Sequence, residues 1–240
     1  NNVDHCTRLC HASSVAALME TVNSGAVSAP FYDCAHSDVI LVIGANPTVN
    51  HPVAATFFKN AVQKGATLIV MDPRGQALTR YATHMVQFKG GTDVALLNAI
   101  MYTIIEERLF DPEYIDLFTE GFDELREHIK GFSPEHMAKI CGIDPQKIRQ
   151  VARVYANAKH GIIFWGMGIS QHVHGTDNAR CLISLALMTG HVGKPGTGLH
   201  PLRGQNNVQG ASDVGLIPMF YPDYLSVEEA ATQRWFEKFW

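Results

Sequence analysis

The sequence predicts an α/β fold: a doubly wound, mainly parallel sheet flanked by helices. Two apolar runs, 38–43 and 67–71, are typical of strands that are buried on both faces. Between them, residues 51–65 place apolar side chains at helical spacing, with Pro52 near the start and Gly65 at the end. A strand, a helix and a second strand in this order form a βαβ unit, whose crossover we expect to be right-handed.

The alternation of strands and helices continues along the chain. Asp111, Ser133 and Asp144 each precede a proline, which is the typical start of a helix with a capping side chain. Further predicted elements are a helix over 92–107 capped by Thr92 or Asp93, a strand over 161–168, and helices over 178–190 and 226–240.

The residue composition changes after residue 191. Residues 191–215 are rich in glycine and polar side chains and show almost no periodicity, which is typical of a segment that lines a site. We therefore expect one α/β domain over residues 1–205. Residues 206–240 are then the incomplete start of an adjacent α/β domain.

Composition excludes several classes of partner. The chain has 240 residues, 46% of them hydrophobic, and a net charge of −4 without any basic run, so neither nucleic acid nor a membrane surface is an expected partner. No apolar run reaches the roughly 20 residues that a membrane-spanning helix needs. Five cysteines, an odd and sparse set, argue against a disulfide framework. We expect a reducing, cytoplasmic compartment, and the periplasm is the alternative.

A cysteine and histidine cluster opens the chain. Cys6 and Cys10 lie four residues apart, each beside a histidine, and this pattern could bind zinc, supply a nucleophile or simply pack. Zinc is disfavoured because no second cysteine pair follows. We expect Cys6 to pack as a small hydrophobic side chain. Cys10 is placed at the start of a predicted helix, which favours its thiolate as a soft-metal ligand or a nucleophile.

Glycines follow the predicted strands. The turn after the first strand lacks the G-x-G-x-x-G pattern of ordinary NAD sites, but Gly44 permits a tight turn and Asn46 offers a side-chain amide. Asp72 ends the second strand, and Gly166 follows the third. Because parallel strands end at the same edge of a sheet, these positions predict a site for a nucleotide-like ligand.

Arg203 lies in a glycine- and amide-rich stretch, next to Gly204 and Gln205. A lone arginine on a loop usually forms an ordinary ion pair. In polar surroundings of this kind, however, a guanidinium can hold a small carboxylate with two parallel hydrogen bonds.

Six segments carry a resemblance that runs through the chain in one order: NNVDHCTRLCH, GANPTVNHP, MDPR, KGGTDVALLNA, WGMGISQ and LRGQNNVQGASDVG. They resemble the catalytic subunits of molybdenum- or tungsten-dependent formate dehydrogenases. These enzymes belong to the bis-molybdopterin guanine dinucleotide oxidoreductases. The first and last segments are the specific ones, while the inner segments are shared widely across the superfamily.

The resemblance implies oxidation of formate to CO2, or the reverse, at a Mo or W centre, with electrons leaving through iron–sulfur clusters. It implies Cys10 as the metal ligand, His11 as the residue that handles the proton, and Arg203 as the residue that holds formate. It places two molybdopterin guanine dinucleotides against segments that contain Gly44, Asn46, Asp72, Arg74, Gly91, Asp93, Gly166, Met167, Gln171 and Gln205.

The chain departs from the family pattern in two ways. Cysteine stands where some members have selenocysteine, and the family's N-terminal [4Fe–4S] motif and C-terminal domain are not in the sequence. We therefore expect a middle portion of a longer subunit that works with iron–sulfur or diaphorase-type electron-transfer subunits. The alternatives are another molybdopterin oxidoreductase, such as a nitrate reductase relative, and a catalytically silent module that binds no cofactor when isolated. A plain zinc-binding protein comes last.

Overall fold

A computed structural model describes residues 4–240, so the first three residues of the opening motif lie outside the described part. The chain forms two compact units. The large unit spans residues 13–202. The small unit combines the opening residues up to 12 with residues 203–240. The predicted domain division at residue 205 concerns a longer subunit and stays a prediction.

The large unit is built on a parallel sheet of five strands in the order β3-β2-β1-β4-β5. This is the order of a doubly wound fold, and the predicted fold class is confirmed. In register, Ile43 lies opposite Met71 on one side and Trp165 on the other. The strands are β1 (Val39–Ile43), β2 (Thr67–Met71), β3 (His84–Val86), β4 (Gly161–Trp165) and β5 (Gly198–Pro201).

Helices surround this sheet. Apart from Ala12, the first residue of α1, these helices belong to the large unit. They are α1 (Ala12–Val22), α2 (Pro47–Asn50), α3 (Pro52–Gln63), α4 (Asp93–Glu106), α5 (Pro112–Phe118), α6 (Phe122–Ile129), α7 (Pro134–Cys141), α8 (Pro145–Ala156), α9 (Met167–Ser170) and α10 (Gly175–Met188).

Alternate strand residues face two separate hydrophobic cores. Leu41 and Trp165 belong to the core shared with α1, α4, α8 and α10. Val42 and Phe164 belong to the other core, where Phe58 of α3 packs. Burial on both faces explains why the strands are continuous apolar runs instead of alternating patterns.

The predicted helix starts are confirmed at the level of the capping atoms. The side chains of Asp111, Ser133 and Asp144 accept hydrogen bonds from backbone N–H groups in the first turns of α5, α7 and α8. Each bond satisfies an N–H group that has no partner within its own helix.

The small unit is mostly irregular. It holds a 3-10 turn at Cys6–Arg8, helix α11 (Val208–Asp213), a 3-10 turn at Pro222–Tyr224 and helix α12 (Ala230–Phe239). The tail helix is thus confirmed with a later start, whereas α11 forms inside the stretch that was expected to be without regular structure.

Candidate functional site

Cys10 lies in the small unit, just beyond the 3-10 turn. The residue is 8% exposed, and its Sγ donates to the Oε1 atom of Gln205 over 3.4 Å. The backbone N–H of Gly204 also donates to this sulfur. A further link joins the two parts of the unit, because the hydroxyl oxygens of Thr7 and Ser212 lie 3.2 Å apart. The structure therefore brings the start of the chain and the 203–213 segment together around one sulfur.

The environment of Cys10 does not favour the free thiolate. Burial raises the pKa of the Cys10 thiol, while the Gly204 N–H and the positive charge of Arg203 act in the opposite direction. The expectation that a helix start would favour the Cys10 thiolate is therefore wrong, since burial outweighs these two contributions. Coordination to a metal would remove the thiol proton regardless.

Arg203 is half-buried in the same unit. Burial lowers the pKa of the Arg203 guanidinium, and the neighbouring groups Tyr224, Cys10 and Asp213 oppose that shift. The structure thus places the predicted thiol and the predicted anion-binding guanidinium in the same compact unit.

His11 and Cys6, two further residues of the opening cluster, differ in burial. His11 is completely buried beside Cys10, and its role as proton handler stays a prediction. Cys6 is exposed, so its expected packing role is wrong. The cause is local: the Cys6–Arg8 segment is a separate 3-10 turn and not the first turn of α1.

In the large unit, the turns after β1 and β4 meet at the point where the strand order reverses. The N–H of Gly168 donates to the carbonyl of Gly44 over 2.9 Å. Gly44 has φ +57°, and a Cβ atom there would lie 2.8 Å from the carbonyl carbon of Gly168. Asn46, Gly166 and Met167 flank this contact. Ligands of open α/β sheets bind at this kind of crevice.

Asp72 organises the loop after β2. It is 4% exposed, and its Oδ1 accepts from the N–H of Arg74 over 2.8 Å. Gln76 donates to the other carboxylate oxygen over 3.2 Å and also to the carbonyl of Ala45 over 2.8 Å. This fastens the β2 loop to the β1 turn, and sequence reasoning missed Gln76. The side chain of Arg74 is largely exposed at the edge.

A cavity of about 490 Å³ lies between the first turns of α4 and α10. Gly91 and Asp93, both predicted cofactor residues, line it. Asp93 is 3% exposed, and burial raises the pKa of its carboxyl while its own N–H, His172 and the Gly91 N–H oppose the shift. Gln171 directly precedes the cavity wall. The wall residues that sequence reasoning did not predict are Thr92, Val94, Ala95, Phe132, Ile140, His172, Val173, His174, Asp177 and Asn178.

The donor set limits what metal chemistry the protein alone could support. Within residues 4–240, no three His, Cys, Asp or Glu side chains lie close enough to hold a metal ion. The zinc alternative therefore has no ligand set in that range. Cys10 is a single soft donor, which fits a metal whose other ligands come from a bound organic cofactor.

The same range holds no helix with the length and apolar character needed to cross a membrane.

Comparison with known proteins identifies the family. Residues 1–236 match the sequence profile described as molybdopterin oxidoreductase. This chain belongs to the molybdopterin oxidoreductase family. Membership implies a molybdopterin cofactor with Mo or W, and the cavity, the glycine turns and the Cys10 thiol are compatible with it.

Relatives within the family confirm the resemblance. The chain is 44% identical over its whole length to formate dehydrogenase H of Escherichia coli (strain K12), spanning 34% of that protein. It is 43% identical over its whole length to the F420-dependent formate dehydrogenase subunit alpha of Methanocaldococcus jannaschii, spanning 35% of it. The chain therefore spans about a third of these relatives.

A solved structure from the same comparison supports the fold. Acetylene hydratase from Pelobacter acetylenicus superimposes with a TM-score of 0.67 at 27% identity, over 74% of this chain and 24% of that one.

Proposed function

We propose that this chain is part of a formate dehydrogenase catalytic subunit. The subunit oxidises formate to CO2, or carries out the reverse reaction, at Mo or W held by two molybdopterin guanine dinucleotides. The observation that carries the proposal is the placement of Cys10 with Arg203 and Gln205 in one compact unit, although Cys10 and Gln205 lie 195 residues apart in sequence. The identity to formate dehydrogenases along the whole chain supports formate as the substrate.

Arg203 binds the carboxylate in this proposal. A guanidinium presents two parallel N–H donors that match the two oxygens of formate, and a half-buried position strengthens each charged hydrogen bond. Holding the carboxylate also fixes the direction of the C–H bond, which is a contribution of orientation to the rate.

Cys10 supplies the thiolate ligand, and His11 takes the proton that formate loses on one of its imidazole nitrogens. The Gly204 N–H and the Gln205 side chain, both within reach of the Cys10 sulfur, keep that sulfur in place. The bound cofactor supplies the two-electron redox chemistry, whereas the protein supplies position and electrostatics.

The large unit provides surfaces for the dinucleotides. We assign to them the crevice at Gly44, Asn46, Gly166 and Met167, the loop of Asp72 and Arg74, and the cavity at Gly91 and Asp93 with Gln171 beside it. A crevice outside the carboxyl ends of parallel strands suits nucleotide phosphates and ribose. Iron–sulfur clusters, the remaining domains of the subunit and electron-transfer subunits are partners of the longer protein in this proposal.

The test uses the full-length subunit loaded with cofactor. Cys10→Ser should lose nearly all formate oxidation and still retain pterin. The matched control is Cys6→Ser, which removes an exposed thiol four residues away and should leave activity unchanged. Arg203→Lys should raise the formate KM about tenfold, because a point charge replaces a two-pronged donor.

Formate and nitrate are assayed side by side, together with Mo and W analysis. Turnover of formate with loss in Cys10→Ser supports the proposal. Wild-type-like turnover of Cys10→Ser, or turnover of nitrate alone, would refute it.

A further inference from the structure

A buried cluster of hydrogen bonds in the large unit has no role in the proposed function. It joins the first turn of α1 to the end of β4 and to α9. Ser14 is completely buried and Ser170 is 6% exposed, and their Oγ atoms lie 2.8 Å apart. The indole N–H of Trp165, which is also completely buried, donates to the Ser14 oxygen over 2.8 Å. Because buried polar groups are costly without hydrogen bonds, these bonds hold the three side chains in one arrangement.

Two further side chains hold the last residues of α9. The Ser13 hydroxyl donates to the carbonyl of Ser170 over 2.7 Å, and the buried Asn178 side chain donates to the carbonyl of Ile169 over 3.0 Å. A helix of one turn has little stability of its own, because that turn fixes several backbone dihedral angles for very few hydrogen bonds. Gly168 within it adds to the entropic cost. The conformation of α9 therefore depends on side chains of α1 and α10.

Helix α9 borders the crevice at which the turns after β1 and β4 meet. The N–H of Gly168 donates to the carbonyl of Gly44 over 2.9 Å, and the N–H of Gln171 donates to the carbonyl of Met167 over 2.9 Å. Met167 and Gln171, at the two ends of this turn, are both assigned to a dinucleotide in the proposed function. A shift of α9 would therefore move both residues relative to Gly44.

Close packing encloses the end of α9. A Cβ atom on Gly175, the first residue of α10, would lie 2.1 Å from the carbonyl oxygen of Ser170 and 2.9 Å from the Oγ atom of Ser13. Glycine at this position lets α10 lie directly against the bond between Ser13 and Ser170. The end of α9 is thus enclosed between the starts of α1 and α10.

We propose that Ser14 is a positioning residue that holds α9 in the conformation that binds a molybdopterin guanine dinucleotide. This inference rests on the proposed function and deepens it, because it names what fixes one wall of the dinucleotide crevice. Ser14 is completely buried, so it acts through Ser170 and α9 and not by touching the cofactor. A turn that is ordered before binding gives tighter binding, since its ordering cost is met during folding.

The main test is Ser14→Ala in the full-length, cofactor-loaded subunit. This change removes the hydroxyl that links Trp165 to Ser170 and leaves the backbone unaltered. The rate of pterin release into cofactor-free buffer should rise about tenfold, because binding must then also order α9. The released pterin is quantified by its fluorescence after oxidation, so this measurement does not depend on formate turnover.

The matched control is Ser37→Ala. Ser37 is 7% exposed, and its hydroxyl donates to the carbonyl of Gly196 over 2.7 Å. It precedes β1 and therefore lies at the opposite, amino-terminal edge of the sheet. Both variants lose one buried hydroxyl and should have a lower Tm, but Ser37→Ala should release pterin at the wild-type rate.

Ser170→Ala removes the other hydroxyl of the same bond. It should speed pterin release as Ser14→Ala does. The double variant should release pterin no more than about twofold faster than the faster single variant, because the two changes remove one shared bond. Where Ser14→Ala does not fold, Ser170→Ala takes its place in the release and exchange measurements.

Hydrogen exchange shows where the effect lies. The backbone amides of residues 168–171 should exchange faster in Ser14→Ala than in the wild type, whereas those of β1 should keep their wild-type rates. Ser37→Ala should leave the exchange at 168–171 unchanged. Wild-type pterin release in Ser14→Ala, equal acceleration in Ser37→Ala, additive effects of Ser14→Ala and Ser170→Ala, or unchanged exchange at 168–171 would each overturn the inference.

The Cys10→Ser variant distinguishes this inference from the proposed function. If Cys10→Ser loses formate oxidation and Ser14→Ala keeps the wild-type release of pterin, only the positioning role of Ser14 fails. If Cys10→Ser keeps formate turnover and Ser14→Ala releases pterin faster, the proposed function fails and the positioning role is supported.

Discussion

The buried imidazole of His191 predicts a pH dependence of folding stability. His191 is 2% exposed and follows α10. The N–H of Gly161, at the start of β4, donates to its Nδ1 over 3.4 Å, and its Nε2 lies 3.2 Å from the carbonyl oxygen of Tyr155 in α8. Both contacts are satisfied only by the neutral ring with its proton on Nε2, so protonation of Nδ1 would set two donors against each other.

The magnitude follows from the shift of the His191 pKa. Burial lowers this pKa from its ordinary value of 6.5 to about 4; the Tyr155 carbonyl opposes the shift and Lys194 adds to it. Above pH 6.5 the ring is neutral in the folded and unfolded states, so His191 takes nothing from the free energy of unfolding. As the pH falls from 6.5 towards 4, only the unfolded state takes up the proton, so unfolding becomes easier by about 1.4 kcal/mol per pH unit. The loss is about 2 kcal/mol at pH 5 and levels off at about 3 kcal/mol below pH 4.

Urea unfolding at pH 7 and pH 5 measures this loss. Between these pH values, the free energy of unfolding should fall by about 2 kcal/mol less in His191→Asn than in the wild type, because the variant has nothing to titrate at this position. Leu199→Val is the control, since it trims a buried apolar side chain of β5 and changes no titratable group, and it should keep the wild-type pH dependence. An identical pH dependence in His191→Asn and the wild type would refute the reasoning.

Two further predictions concern close packing and charge. Gly44→Ala should destabilise the chain by more than about 2 kcal/mol, because its Cβ atom would meet the backbone of Gly168. The control Gly65→Ala has open space around its Cβ atom and should cost only about 1 kcal/mol, for its positive φ. Equal losses of unfolding free energy in urea would contradict the close approach of the two turns. Arg149→Met should lower the free energy of unfolding by about 1–2 kcal/mol, and by less in high salt, because Arg149 pairs with three glutamates, which are Glu106 and Glu107 at the end of α4 and Glu135 of α7. Arg126→Met breaks one exposed pair and should cost under about 0.5 kcal/mol, so similar losses for both arginines would refute the network effect.

The fold was predictable where local chemistry decides it. The apolar run 67–71 matches β2 residue for residue, and the predicted strand from Asp38 begins one residue later, at Val39. β5 escaped prediction because Gly198–Pro201 has neither alternation nor an apolar run, and only its neighbour β4 makes it a strand. Helix α11 was missed because its glycine and amide-rich sequence has low helix propensity, which tertiary contacts overrode.

The candidate site was predictable in its residue types but not in its supporting contacts. Cys10 and Arg203 stand out in the sequence through the histidine beside one and the glycine and amides beside the other. Nothing in the sequence indicates that Gln205 reaches the Cys10 sulfur or that Gln76 ties two loops together, because such bonds depend on side-chain positions that only the folded chain sets. The raised pKa of Cys10 was missed for the same reason, since burial is not visible in a motif.

The central claim is that the opening thiol and the 203–205 segment form one site, and a cross-linking measurement tests it most directly. In a Cys6→Ser background, Gln205→Cys places a second thiol where a side chain now lies 3.4 Å from the Cys10 sulfur. A short bifunctional thiol reagent should join positions 10 and 205 within one molecule, as read by peptide mass spectrometry. The matched control is Gln233→Cys on the exposed side of α12, which should give no such link. Labelling of both thiols singly in the Gln205→Cys protein, without any link between them, would contradict the claim.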